Sequence, residues 1–241
     1  SALNRLRDSL KLARFTLDPR LSAAASGHAL YLHQNVATGH QQVPGRPGFI
    51  GENPWDRTRA YGFSGGTWEA AGYQTSDPQL AIATIFDAPY HRIPFMNPAV
   101  TRVGVGISPR GTVVDGEVAV ANAVVTSPSR DQVGVPTTWN GNERPNPLRR
   151  FPHLQGPVGY PIVFTAFGSD SKLDVTTARL ERAGTPVDSI LNTPSNDENL
   201  TNAAMLMPTE PLRPRTSYTV EFIATKDGVN VSRRWSFVTG D

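Results

Sequence analysis

Cysteine is absent from the 241 residues. That excludes disulfides, thiolate metal sites and a cysteine nucleophile, and it fits either a cytosolic protein or a bacterial secreted one stabilised by packing alone. Long apolar runs are missing too: no uncharged stretch approaches the about 20 residues that cross a bilayer, so no transmembrane segment is predicted. Lysine is scarce, with only Lys11, Lys172 and Lys226 among 23 basic residues, and the net charge is only +2. No basic stripe interleaved with aromatics occurs, so nucleic acid is not an expected partner. The chain opens Ser1-Ala2-Leu3 without a basic-then-apolar leader. A signal peptide is therefore expected only as a segment removed beforehand. Histidine is absent after His153, so the last third of the chain holds no imidazole for catalysis.

What is present is organised around residues 80–105. The apolar run from Leu80 ends in Asp87-Ala88-Pro89-Tyr90-His91-Arg92, and a β-rich run begins at Arg102. Proline cannot continue a helix, so a break is predicted at Pro89. His91 and Arg92 then stand just past it, either aimed into a cleft or serving as a local cap.

Upstream, Leu3, Leu6, Leu10 and Ala13 recur at helical spacing and predict an amphipathic helix over 2–14. Asp18-Pro19 is a helix start with its cap and first-turn proline, and the helix runs to about Asn35. Its apolar stripe holds Leu21, Ala24, Ala25, His28 and Leu32, and its small residues permit close approach of another element. His28 reads as a core histidine and His33 as a solvent-facing one. Residues 36–54 form a long Gly/Pro-rich loop that contains Gly39-His40, and loops of that length tend to cover or bind something. Pro54 opens a short helix, Trp68-Glu69-Ala70 is short and extended, and Ser76-Asp77-Pro78 caps a helix over Gln79–Phe86. Strands are expected over Arg102–Ser108, Gly111–Asp115 and Glu117–Val125, with turns at Pro109-Arg110-Gly111 and Asp115-Gly116. Helices followed by hairpins predict a layered α+β domain over 1–127. Residues 128–159 are a Pro-rich linker in which Trp139 is a docking anchor. Residues 160–241 hold short alternating strands and turn signals, which predict an all-β sandwich. In the clearest strand Tyr218, Val220 and Phe222 share a face.

Several stretches carry a family resemblance. They are Leu3-Asn4-Arg5-Leu6-Arg7, Asp18-Pro19-Arg20-Leu21 with His28-Ala29, Gly39-His40, Trp55-Asp56-Arg57 with Tyr61-Gly62, Glu69, Pro89-Tyr90-His91-Arg92 and Val103-Gly104-Val105-Gly106. In this order they resemble the CAP superfamily of cysteine-rich secretory, antigen-5 and pathogenesis-related proteins, in its bacterial SCP-domain branch. The resemblance implies an α-β-α sandwich with two histidines and two acids in one cleft, and in some members a divalent metal such as zinc. By position it implies His40 and His91 as the histidines and Glu69 as the first acid, with Arg92 beside them in the ligand-binding cleft. The second acid has no match, because Gln79–Phe86 carries none and Asp87 is out of register. Glu52 imitates the acidic motif but precedes the Asp56-Arg57 helix, so it is set aside. The last third resembles bacterial Ig-like domains through Pro211-Leu212, Thr216-Tyr218-Thr219-Val220 and Trp235-Ser236-Phe237.

Two imidazoles and a carboxylate are chemically able to hold Zn²⁺ with a position open for water, and equally able to bind a polar ligand. The expected function is a secreted, extracellular or cell-envelope protein that binds or scaffolds without catalysis. Its partner would be a small molecule, a lipid or a cell-surface component. The alternative is a metal-assisted hydrolase of peptides or wall polymers using His40, Glu69 and His91. A serine nucleophile would have to be Ser64 or Ser76, and neither lies in a nucleophile elbow.

Overall fold

The computed structural model describes residues 1–73, 77–141, 143–154 and 157–241, and the cap expected at Ser76 lies outside them. The chain divides into two compact units. The first comprises Ser1–Asp8, Ala13–Asp87 and Pro98–Val120, and the second comprises Ser9–Leu12, Ala88–Asn97 and Ala121–Asp241.

The first unit contains α1 (Ala2–Ser9), β1 (Thr16–Leu17), α2 (Pro19–Gln34), α3 (Pro54–Ala60), β2 (Thr67–Tyr73), α4 (Pro78–Asp87), β3 (Arg102–Ser108) and β4 (Gly111–Glu117). Its sheet runs β1-β3-β4-β2, parallel between β1 and β3 and antiparallel elsewhere. Helix α1 is shorter than the periodicity predicts, because Lys11 takes a left-handed φ of 59° that ends it. Helix α2 begins where expected: the Asp18 carboxylate accepts from the Arg20 and Leu21 amides.

Gly104 and Gly106 fix the packing of the layers. A Cβ on either would lie 2.1 Å from the α2 backbone at Leu21 and Ala25, so only glycine lets the helix settle on β3. Gly106 pairs with Val113, which pairs with Ala71, so these residues share the α2 face. The neighbouring Gly72 must point the other way, and there it meets Ile85 of α4. The unit is therefore a three-layer α-β-α arrangement. The turn expected at Asp115-Gly116 is instead continuous strand. Gly116 lies against the Trp68 ring, which a Cβ would overlap at 2.1 Å. The glycine serves packing rather than a turn, and this leaves Asp115 inside the sheet. The strand expected from Glu117 to Val125 is likewise two pieces in separate sheets.

The second unit contains α5 (Pro89–Phe95), β5 (Ala123–Ser127), β6 (Thr138–Trp139), β7 (Val158–Gly159), β8 (Ile162–Phe167), β9 (Asp174–Arg182), β10 (Thr185–Pro186), β11 (Ser189–Asn192), β12 (Ala203–Pro208), β13 (Ser217–Lys226), β14 (Val229–Asn230) and β15 (Arg233–Val238). The break expected at Pro89 is present: α4 ends at Asp87, Ala88 is extended, and Pro89 starts α5 at its first turn, where its missing N–H costs nothing. One antiparallel sheet runs β11-β12-β8-β5. In the other, β10-β9-β13, both β14 and β15 pair with β13. The two sheets meet through one core, in which Phe164 of β8 stacks on Phe222 of β13 at 4.9 Å between centroids. Tyr218, Val220 and Phe222 point inward together, as the alternation predicts, and Trp235 and Phe237 join them. Left-handed residues Ala183-Gly184 and Asp227-Gly228 turn two of the hairpins. Trp139 is buried, as expected of an anchor.

Candidate functional site

The first unit concentrates its buried polar groups on the α2 face of the sheet. Glu69 on β2 stands directly opposite Asp115 on β4, and Asp115 is opposite Gly104 on β3, so both carboxyls point toward α2. Arg57 of α3 is fully buried beside them. Its Nη2 donates to Glu69 Oε2 at 2.6 Å, and its Nη1 donates to the carbonyls of Gly51 and Glu52. The Glu52 side chain itself is exposed, in keeping with its being set aside.

His40 Nδ1 meets Glu69 Oε1 at 2.8 Å. A carboxylate only accepts, so Nδ1 carries the proton and Nε2 holds the free lone pair whenever the ring is neutral. The His40 side chain is 39% exposed, and among the described residues nothing bonds its Nε2. Its position follows from the residue before it. Gly39 has a φ of 96°; its N–H donates to the Tyr73 hydroxyl and its carbonyl accepts from His28.

His28 is the opposite case. Gln42 Oε1 accepts from the Ile50 amide, so the Gln42 amide group must donate to His28 Nδ1, and His28 Nε2–H must then donate to the Gly39 carbonyl. Both ring nitrogens are spent, which bears out the expectation of a core histidine. Burial pushes its pKa down further than the charge of Glu69 restores it, so His28 is neutral. Burial also raises the Glu69 pKa, but the His40 bond and the Arg57 charge outweigh it and hold Glu69 below the usual range.

His91 belongs to the second unit, in the first turn of α5. Its Nδ1 meets Glu143 Oε1 at 2.8 Å, and the same oxygen accepts the backbone N–H groups of Tyr90 and His91. Glu143 thus caps α5 and orients the ring in one contact. His91 Nε2 also has no partner among the described residues. Arg92 is buried, donating to the Pro161 carbonyl and lying 4.5 Å over the Tyr160 ring. The neighbouring Tyr90 hydroxyl donates to Asp197 and accepts from Arg149, which pairs with Asp197 at 2.8 Å. Burial and its bond to Asp197 push the Tyr90 phenol up; the hydrogen bonds from Tyr90 and Arg149 hold Asp197 down despite its burial.

The structure thus brings together His40 and Glu69 of the expected set and gives His91 a carboxylate partner of its own. Sequence reasoning missed Glu143, Arg57 as the ion partner of Glu69, Gln42 and Asp115. Only Arg57 had a signal, inside the Trp55-Asp56-Arg57 stretch. Zinc does not fit the residues of the first unit: Glu69 has one oxygen on His40 and the other on Arg57, leaving His40 Nε2 as a single donor. Among the described residues no group of three or more His, Cys, Asp or Glu side chains is placed to hold a metal ion. Ser64 is exposed and bonds neither histidine, and Ser76 lies outside the described residues.

A three-layer unit with a histidine held by a buried glutamate and arginine is the class this geometry defines. The model of the CAP family, the cysteine-rich secretory protein family, matches residues 1–123, and the chain belongs to that family. No curated protein matches it. Among solved structures it is similar to an extracellular protein containing an SCP domain from Bacillus anthracis str. Ames, at 23% identity over 48% of this chain with a TM-score of 0.42. The match spans 38% of that protein's length. Among the described residues no helix is long and apolar enough to cross a membrane.

Proposed function

We propose that this CAP-family chain acts outside the cell or in the cell envelope as a ligand-binding or scaffolding protein without catalysis. The observation that carries the reading is the His40 imidazole. Its Nδ1 is fixed by Glu69, and its Nε2 is left as a hydrogen-bond acceptor on a half-exposed ring. Glu69 is itself immobilised by Arg57, so the acceptor is presented in one orientation. The ligand is a polar group that donates to an imidazole, on a small molecule, a lipid headgroup or a cell-surface partner. His91, held by Glu143, offers a second acceptor of the same kind in the other unit.

We read the β-sandwich as a bacterial Ig-like domain that spaces or presents the CAP unit. Support comes from its two antiparallel sheets and from the Arg213 amide, which donates to the Tyr218 hydroxyl at 2.8 Å. That contact is like the tyrosine corner of Ig-type sandwiches.

One observation favours the hydrolase alternative. An imidazole whose Nδ1–H is held by a carboxylate is also how a general base is oriented. Against it, no serine hydroxyl bonds His40 among the described residues, and both Glu69 oxygens are already engaged, by His40 and Arg57.

The test is a parallel assay of wild type and His40→Ala for retention on isolated bacterial envelopes and for turnover of peptide and wall-polymer substrates. Retention that falls at least tenfold in the variant, without turnover, is the expected result. Turnover lost in the variant overturns the reading in favour of hydrolysis.

A further inference from the structure

Asp115 is fully buried, and neither carboxyl oxygen has a hydrogen-bond partner. Around it, no donor of the described residues bonds either oxygen. On β2, directly opposite, stands Glu69, and opposed residues of an antiparallel pair hold their Cβ atoms about 4.5–5.5 Å apart. On β3 its neighbour is Gly104, which brings no side chain. From α2 comes His28, with both ring nitrogens committed to Gln42 and Gly39. From α3 comes Arg57, with Nη1 on two carbonyls, Nη2 on Glu69, and a buried Nε that bonds no acceptor, Asp115 included. His40 Nδ1 is on Glu69, and the Tyr73 hydroxyl is on Gly39. Two residues along its own strand, Glu117 is held by Arg102 and Thr101.

An ionised carboxylate in this place would have no hydrogen bond and would face a second carboxylate, which is the arrangement a buried acid avoids by keeping its proton. A proton on Asp115 removes both difficulties, because Glu69 is then an acceptor within reach. We infer that Asp115 is protonated in the folded protein and donates its O–H to Glu69, so that the two carboxyls hold one negative charge, balanced by Arg57. The proton remains on Asp115, and Glu69 gains a donor in addition to His40 and Arg57. Asp115 is thereby a positioning residue: it steadies Glu69, and through Glu69 the ring of His40. Burial, and then the charge of Glu69, push the Asp115 carboxyl well above the ordinary range, in agreement with the geometry. The pair titrates as a unit. The inference stands whatever His40 binds.

The sign of the pH dependence follows. Asp115 holds its proton more tightly folded than unfolded, so above about pH 4 the folded state carries more protons than the unfolded chain. Stability through this group is greatest at acid pH and falls as pH rises, until Asp115 itself ionises in the fold. The slope approaches a tenfold change in the unfolding constant per pH unit for one proton.

Carboxyl ¹³C NMR of the full chain from pH 4 to 9 tests the inference, with hydrogen exchange of the β4 amides followed on wild type and Asp115→Asn. Asparagine keeps a donor toward Glu69 and cannot ionise. The expected results are an Asp115 carboxyl resonance at the protonated position at pH 7, an unchanged Nδ1–H signature on His40 in the variant, and loss of the falling limb of stability between pH 5 and 8. An Asp115 resonance that titrates near pH 4, or identical limbs in both proteins, overturns it. If the asparagine variant does not fold, the wild-type resonance decides alone.

Discussion

Glu69→Ala perturbs the centre of the His40 site, and its cost can be worked from the contacts. The variant leaves the Arg57 guanidinium without its counter-charge at a place where Arg57 is fully buried and the Glu69 side chain is 1% exposed. Removing one partner of a buried ion pair costs about 3–5 kcal/mol, because the other charge stays desolvated. The bond to His40 adds no more than about 1 kcal/mol, since that ring is half-exposed. Against the about 5–15 kcal/mol that holds a domain together, a loss of about 3–6 kcal/mol leaves the first unit marginal. Two compact units need not unfold in one step, so the measurement must report this unit alone. Native-state hydrogen exchange at the β2 and β4 amides does so. Arg57→Met combined with Glu69→Ala removes both charges and is expected to recover most of the loss, since paired replacement of buried ions by apolar groups is nearly neutral. A cost below about 1 kcal/mol for Glu69→Ala would put the pair among exposed ion pairs and refute the buried network. A pH scan adds a sign. Glu69 is held below its usual range, so its contribution is present above about pH 4 and is lost as pH falls through its folded value. Glu69→Gln should lack that acid limb.

Further perturbations probe other parts of the molecule. Gly104→Ala forces a Cβ to 2.1 Å from the Leu21 carbonyl carbon; backbone does not yield as a side chain does, so chemical denaturation should show a loss of about 3 kcal/mol or more, and a loss under about 1 kcal/mol would dispute the helix-on-strand contact. Asp18→Ala removes the α2 cap at a cost of about 1 kcal/mol. Arg20, against the effect of burial, holds the Asp18 carboxyl down to about 2, so the wild type loses this contribution as pH falls from about 4 toward 2, and the variant lacks that part of the acid limb. Glu143→Ala releases two α5 backbone amides and the His91 ring, and should cost about 1–3 kcal/mol. It should also mix the His91 tautomers in a ¹⁵N spectrum; an unchanged Nδ1–H signature would show that Glu143 does not orient the ring.

The elements most legible in the sequence are those whose determinants lie close together along the chain. The Asp18-Pro19 cap, the α2 stripe and the alternation of Tyr218, Val220 and Phe222 are all decided within a few residues, and each appears as expected. Asp115-Gly116 is the instructive exception. Asp-Gly signals a turn because glycine relieves a left-handed backbone, but here Gly116 is needed for room beneath Trp68, 48 residues earlier in the chain. Local pattern carries no trace of that requirement. Misreading it as a turn also hid the buried carboxyl, because Asp115 faces Glu69 only once β2 and β4 are in register.

The same distinction separates the histidines. Position on the α2 stripe is enough to place His28 in the core, and solvent exposure of His33 follows from its lying off that stripe. For His40 and His91 the deciding fact is which ring nitrogen is occupied, and that depends on carboxylates remote in sequence: Glu69, 29 residues away, and Glu143, 52 residues away. Order and spacing of the family-like stretches reached Glu69 because it lies among them. Glu143 sits in a Pro-rich stretch with no periodicity and no motif, so its role is set wholly by where α5 begins. If that dependence holds, moving the start of α5 should disconnect His91 even with both side chains intact. Pro89→Gly frees the first turn and removes the fixed φ that presents the Tyr90 and His91 amides to Glu143. The expected outcome is faster exchange of those two amides and loss of the His91 Nδ1–H signature, while the His40 signature stays as it is. A variant that keeps the His91 signature would mean that Glu143 finds the ring without the helix, and the account of His91 given by the cap would fail.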